Sequence, residues 1–360
     1  MKTETTAYFS SRRQFLKRAA AGSIGTSLSL ASTSVAQMGL SDEIEEQPLV
    51  PVVEATSDKL WAGSDPNSEV IGEMVDKALV KLTLANDIKS AWKSLVLPND
   101  IVAIKVNPLA AAGEPLGRKL ATNPVIVQRI VDGLYEAGVL ANQVIVWDRF
   151  QRHLVDAGFD INAGGKDVQC FATDSSGIGY DQEVFYETEE DIFNRREKGL
   201  LKSFYSRIIT QMATVIINVP VFKHNGITGL SGCLKNLAFG SVNNTSRFHS
   251  NPLNCDPAIS EIFAHTVIKN KLVLNVVDGL YASYNGGPVY DPNSVWKAGR
   301  IMASADPVIL DQIMLESLDE KRRTKNLEPV RSLAKYIRSA ERAELGTSDL
   351  DKADLQEVKV

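Results

Sequence analysis

The spacing of apolar positions changes period several times along this chain. Val70, Met74, Ala78 and Leu82 recur at the spacing of one helical face and predict a helix over 69–85. After the turn Asn99-Asp100, the run Ile101-Val102-Ala103-Ile104-Lys105-Val106 is apolar but for one lysine, as in a strand buried on both faces. Asn123 then stands as a helix N-cap with Pro124 in the first helical position. Val127, Ile130, Val131 and Leu134 form the apolar stripe of that helix, and Gly138 stops it. Val144-Ile145-Val146-Trp147 follows as a second strand, so 101–147 reads as a βαβ unit with parallel strands.

The alternation continues to the end. Val168–Phe171, Thr214–Val219, Lys271–Val277 and Arg300–Ala303 read as strands. Asp256-Pro257 opens a helix to Ile268, Asp306-Pro307 one to about Leu318, and 328–344 reads as a final surface helix. Residues 183–203 are dense in charge and predict an exposed insertion, and the end beyond Thr347 is expected to fray. Strands alternating with helices predict an α/β fold with a largely parallel central sheet flanked by helices.

Composition narrows the class. With 360 residues, 44% hydrophobic and 23% charged, the chain is neither mainly disordered, collagen-like nor a multi-span membrane protein. Three cysteines exclude a disulfide-stapled scaffold. The net charge is −5, although the first 36 residues carry Lys2, Arg12, Arg13, Lys17 and Arg18 against Glu4. The remainder is therefore more acidic still, which argues against nucleic acid as a partner.

That basic start has the order of a secretory signal. Ser11-Arg12-Arg13-Gln14-Phe15-Leu16-Lys17 precedes a mildly apolar stretch, then Ser34-Val35-Ala36 as a cleavage site. The arginine pair resembles a twin-arginine signal, which implies export of the folded protein through the twin-arginine translocase to the periplasm or an equivalent exported location. The apolar stretch is too short and polar for a stable membrane span. The expected organisation is a signal over 1–36, an acidic linker over 37–54, an α/β domain over 55–320, and a C-terminal helix with a charged tail over 321–360.

Several signatures are absent: GxGxxG, the Walker A loop, GxSxG, HExxH and CxxC. Without CxxC there is no ferredoxin-type iron–sulfur cluster. What remains is position. In open parallel sheets, ligands bind beyond the carboxyl ends of strands. Lys105 and Asn107 close the first strand, Asp148 and Arg149 the second, and Lys223 and His224 follow the strand ending at Val219. Loops are polar in any protein, so this pattern locates a site without defining its chemistry.

Segment 218–256 supports two chemistries. Gly226, Gly229 and Gly232 with Lys223, Lys235 and Arg247 suit a small anionic ligand such as a carboxylate or phosphate. His224, Cys233, His249 and Cys255 are possible ligands of a transition metal, although their separations of eight, fifteen and five residues lack a short chelating pair. A Cys233–Cys255 disulfide competes with that set, and His265 falls within a helix as a structural residue. Asp306 is a helix cap, whereas Asp311, just over a turn further on, is in position to face the site.

Lys223-His224, Thr228-Gly229 with Lys235-Asn236, Lys105-Val106-Asn107, Asn285-Gly286-Gly287-Pro288 and Ala305-Asp306-Pro307 with Asp311 together resemble the domain-of-unknown-function 362 family over roughly 55–320. Some members carry a ferredoxin segment, whose cysteines this chain lacks. The expectation is an exported, metal-dependent enzyme acting on a small anionic substrate. His224 would act as metal ligand or base, Lys223 and Lys235 would hold or polarise substrate, and Asp148 would orient them. Lys105, Asn107, Asn236, Arg247 and Asp311 would bind the cofactor or anion. The alternative is a non-catalytic anion- or cofactor-binding assembly protein of the cell envelope.

Overall fold

Apolar runs without alternation must be covered on both faces, and here they meet in one sheet. The computed structural model describes residues 49–188, 201–249 and 253–360. The signal segment, most of the acidic linker and the centre of the charged insertion lie outside the described residues. In chain order the elements begin with β1 (Val50–Thr56), the short ladder β2 (Trp61–Ala62) and β3 (Asp65–Pro66), α1 (Ser68–Thr83) and α2 (Ile88–Leu95). Next come β4 (Val102–Val106), α3 (Pro124–Glu136), β5 (Val144–Asp148), α4 (Gln151–Asp156) and β6 (Gln169–Ala172). The hairpin β7 (Tyr180–Glu187) and β8 (Lys202–Ser206) flanks the insertion, followed by β9 (Val215–Val219), β10 (Val221–Asn225), β11 (Gly229–Leu230) and α5 (Cys233–Ser241). The chain ends through α6 (Ala258–Ala264), α7 (Thr266–Lys269), β12 (Leu272–Ser283), β13 (Val295–Ser304), α8 (Pro307–Arg323), α9 (Lys335–Arg342) and β14 (Ala353–Lys359).

The main sheet has the order β14-β1-β13-β12-β9-β4-β5-β6, with β10 joined to β12 and β11 to β10. The expected βαβ unit is present: Val102 pairs with Val144 and Lys105 with Trp147 in parallel, across the crossover helix α3. Parallel pairing continues through β9–β4 and β5–β6, whereas β13 runs antiparallel to both β1 and β12. Successive residues of β4 enter opposite cores. Val102 and Ile104 join the layer packed with α1, α2 and α3; Ala103 joins the layer packed with α5, α6, α8 and α9. The fold is therefore α/β, with a largely parallel sheet between two helical layers.

Four expectations are corrected. The linker does not reach residue 54, because Val50, Val52, Val53 and Ala55 are buried where β1 pairs with β13 and β14. The C-terminal end does not fray: β14 pairs in parallel with β1 from Val50–Ala353 to Thr56–Lys359. That pairing, with α8 running across residue 320, ties the expected flanking segments into the same domain. The helix expected over 257–268 breaks at His265, whose extended backbone and Nδ1 cap the next helix at Val267.

Candidate functional site

Three parallel strands end side by side: β4 at Val106, β5 at Asp148 and β9 at Val219. A cavity of about 190 Å³ opens over these ends. Lys105, Asn107, Asp148, Arg149, Lys235, Asn236 and His249 supply its charged and polar lining; Leu109, Phe150, Ile227 and Phe239 supply apolar surface.

Lys105 projects from the end of β4 and is buried. Its Nζ donates to Asp148 Oδ1 at 2.6 Å, to the Val106 carbonyl at 2.6 Å and to Asn236 Oδ1 at 3.4 Å. Burial lowers its pKa, and the Asp148 charge opposes that shift. Asn236 lies on α5 and donates to Asn218 Oδ1 at 2.8 Å, while Asn218 donates to Asn275 Oδ1 at 2.8 Å and to the Cys233 carbonyl at 3.1 Å. This chain of amides locks α5 onto β9 and β12. Helical spacing then carries Lys235 and Phe239, and likewise Asn236 and Gly240, along the side of α5 that meets the cavity. Gly240 allows this approach, since a Cβ there would stand 2.2 Å from Lys105 Cε.

Lys235 is 8% exposed, and the hydrogen bond of its Nζ is to Thr228 Oγ1 at 3.3 Å. Burial pushes its pKa down to about 8. Arg149 donates through Nη1 to Thr245 Oγ1 at 3.1 Å and the Phe239 carbonyl at 3.4 Å, while its buried Nε makes no hydrogen bond. Among the described residues, neither Lys235 nor Arg149 forms an ion pair with a carboxylate. His249 lies beside them; its Nδ1 meets the Thr245 carbonyl at 2.8 Å, so Nδ1 carries the proton. Burial, then the Lys235 charge, holds this imidazole near pKa 4 and so neutral.

Other expected site residues serve the site from behind or lie outside it. Lys223 is fully buried and donates to Asn107 Oδ1 at 2.9 Å and the Leu120 carbonyl at 3.0 Å; burial brings its pKa to about 7. It positions Asn107 and does not line the cavity. His224 accepts the Gly287 N–H at Nδ1, 3.2 Å away, and holds β10 against the loop at 285–288. Arg247 bonds the Thr188 carbonyl and Ser203 Oγ, pinning the β7–β8 hairpin. Asp311 accepts the N–H groups of Cys233 and Leu234, so the N-terminus of α5 is capped by the protein's own carboxyl group. Gly232 permits that contact, since a Cβ would fall 2.0 Å from Asp311 Oδ1.

The expected metal set is not assembled. His249 lines the cavity, but His224, Cys233 and Cys255 do not. Among the described residues, no three His, Cys, Asp or Glu side chains gather into a group able to hold a metal ion. Cys233 and Cys255 are free, buried thiols with no disulfide between them, and burial pushes Cys255 up to about 11. Arg149, Phe150, His153 and Thr245 are lining residues that the expected site set omits. Arg149 directly follows Asp148 at a strand end, and His153 lies one helical turn beyond Phe150, so position alone marks them.

An α/β protein with a cation-lined cavity at the carboxyl edge of parallel strands is the class that this fold and site define. Within that class, residues 102–316 match the model of the domain of unknown function DUF362, and the chain belongs to that family. A Thermotoga maritima protein solved by a structural genomics consortium is similar at 10% identity, with a TM-score of 0.39, over 78% of this chain and 60% of that one. The chain thus spans less than two thirds of that protein's length. No curated protein matches it. Among the described residues, no helix is long and apolar enough to cross a membrane.

Proposed function

We propose that the cavity binds a small anionic substrate and that the protein is an exported enzyme acting on it. One observation carries the reading: two cations, Lys235 and Arg149, line a partly apolar cavity without a carboxylate partner among the described residues. A carboxylate or phosphate group would supply the missing charge, with the planar Arg149 fork favouring bidentate contact. The Lys105–Asp148 pair fixes the adjoining polar surface, and His249 adds a neutral imidazole to the lining.

Calorimetric titration with propionate and inorganic phosphate tests this. Lys235→Gln and Arg149→Gln should each weaken binding about tenfold or more, since a hydrogen bond to a charged group contributes about 1.5–3 kcal/mol. Affinity should fall as pH rises through about 8, where Lys235 loses its proton. Unchanged affinity in both variants would overturn the assignment. Binding without turnover of any bound anion would favour the binding-protein alternative. Export is tested separately: Arg12→Lys with Arg13→Lys should leave the precursor in the cytoplasm, and normal export would defeat the twin-arginine assignment.

A further inference from the structure

The cavity divides its cations unequally. Lys105 is committed to Asp148 at 2.6 Å, and Arg149 presents a planar guanidinium held by Thr245 and the Phe239 carbonyl. Lys235 differs from both. Its Nζ has a neutral hydroxyl partner at 3.3 Å, the Phe239 ring 5.9 Å away, and other cations in the same cavity. An amine buried against apolar surface with no carboxylate partner among the described residues is one whose ammonium form is disfavoured, which is the setting of a nucleophilic lysine.

We infer that Lys235 is a covalent nucleophile of this site and that its substrate class is the small 2-oxo carboxylates. The inference rests on the anion reading above: the carboxylate meets Arg149, and the neighbouring carbonyl carbon meets Lys235. The Lys235 lone pair adds to that carbon, and the carbonyl oxygen takes up a proton to give a carbinolamine. The C–O bond then breaks, the oxygen leaves as water and a C=N⁺ iminium forms. Counted from the ammonium, the two hydrogens lost from nitrogen leave in that water, and no oxidant or reductant is consumed. Leu109, Ile227, Phe150 and Phe239 offer apolar surface to the remainder of the substrate. The pKa near 8 agrees with this role, because free amine is then present at neutral pH.

The test is reductive trapping on the purified full chain. Glyoxylate, pyruvate and 2-oxobutyrate are each supplied with sodium cyanoborohydride near neutral pH, and the modified lysines are mapped by peptide mass spectrometry. At least one of the three should alkylate Lys235 about a hundredfold faster than an exposed lysine, given its larger free-amine fraction. Lys235→Arg keeps the charge and should abolish that adduct. Lys235→Gln serves as a second variant, with thermal melting as the check that each folds. Propionate, which has the carboxylate and no ketone, reads the anion site separately by calorimetry. Propionate binding without a Lys235 adduct from any of the three overturns the inference and leaves the anion reading standing. Neither binding nor adduct overturns both. Adducts spread evenly over surface lysines, or unchanged in Lys235→Arg, also overturn the inference.

Discussion

At the scale of single residues, the site depends on one close contact. Lys105 reaches Asp148 and Asn236 by passing over Gly240, where a Cβ would come within 2.2 Å of its Cε. Gly240→Ala should therefore displace the Lys105 side chain from the centre of a buried ion pair. We expect a stability loss of about 1–3 kcal/mol, the range for overpacking, together with weaker anion binding. Urea unfolding and propionate titration of the same variant check this; a loss of stability with unchanged affinity would separate Lys105 from the site. Residue identity in the chain announced the lysines and Asp148, but not which of them would be paired. Lys105 lies next to Asp148 only because β4 and β5 are neighbours, and Asp311, which meets α5 just before Lys235, is already taken by the N–H groups of Cys233 and Leu234.

At the scale of elements, α5 brings Lys235, Asn236, Phe239 and Gly240 to the cavity together, and its N-terminus is held by Asp311 from α8. Burial pushes the Asp311 carboxyl up to about 7, against the pull of the two amides it accepts. Between the ordinary value of 3.8 and about 7, the unfolded chain has released this proton and the folded chain keeps it. Asp311 therefore makes the folded state lose stability as pH rises across that window, and the loss persists above it. Asp311→Asn removes this titration while keeping one acceptor oxygen. Its urea midpoint should change less between about pH 4 and about pH 8 than that of the parent protein. An equal or steeper change in the variant would contradict the assignment. The sequence pattern placed Asp311 just over a turn inside its helix, in reach of the site, but nothing in the spacing could show that the N–H groups of α5 would claim it.

At the scale of the whole molecule, the two ends of the described chain meet at the sheet edge, where β14 covers β1 over seven residue pairs. Truncation before Ala353 should expose the β1 edge and the buried side chains beneath it. A lower melting temperature and concentration-dependent association, read by light scattering, are expected. A truncated chain as stable and monomeric as the parent would show that β14 is dispensable. Periodicity alone determined the βαβ unit, the buried central strands and the α/β class, because continuous or four-spaced apolar runs are local properties of the chain. It also singled out the rim over which the cavity opens, since ligand sites follow strand carboxyl ends in such folds. Only the tertiary structure decided the terminal strand pair, because residues 50–56 and 353–359 are separated by almost the whole sequence. Only it decided which cations remain unpaired, because ion pairing and desolvation depend on neighbours in space. His224, Cys233, His249 and Cys255 crowd one stretch of sequence, yet β10, α5 and the segments beyond them send those side chains to different surroundings.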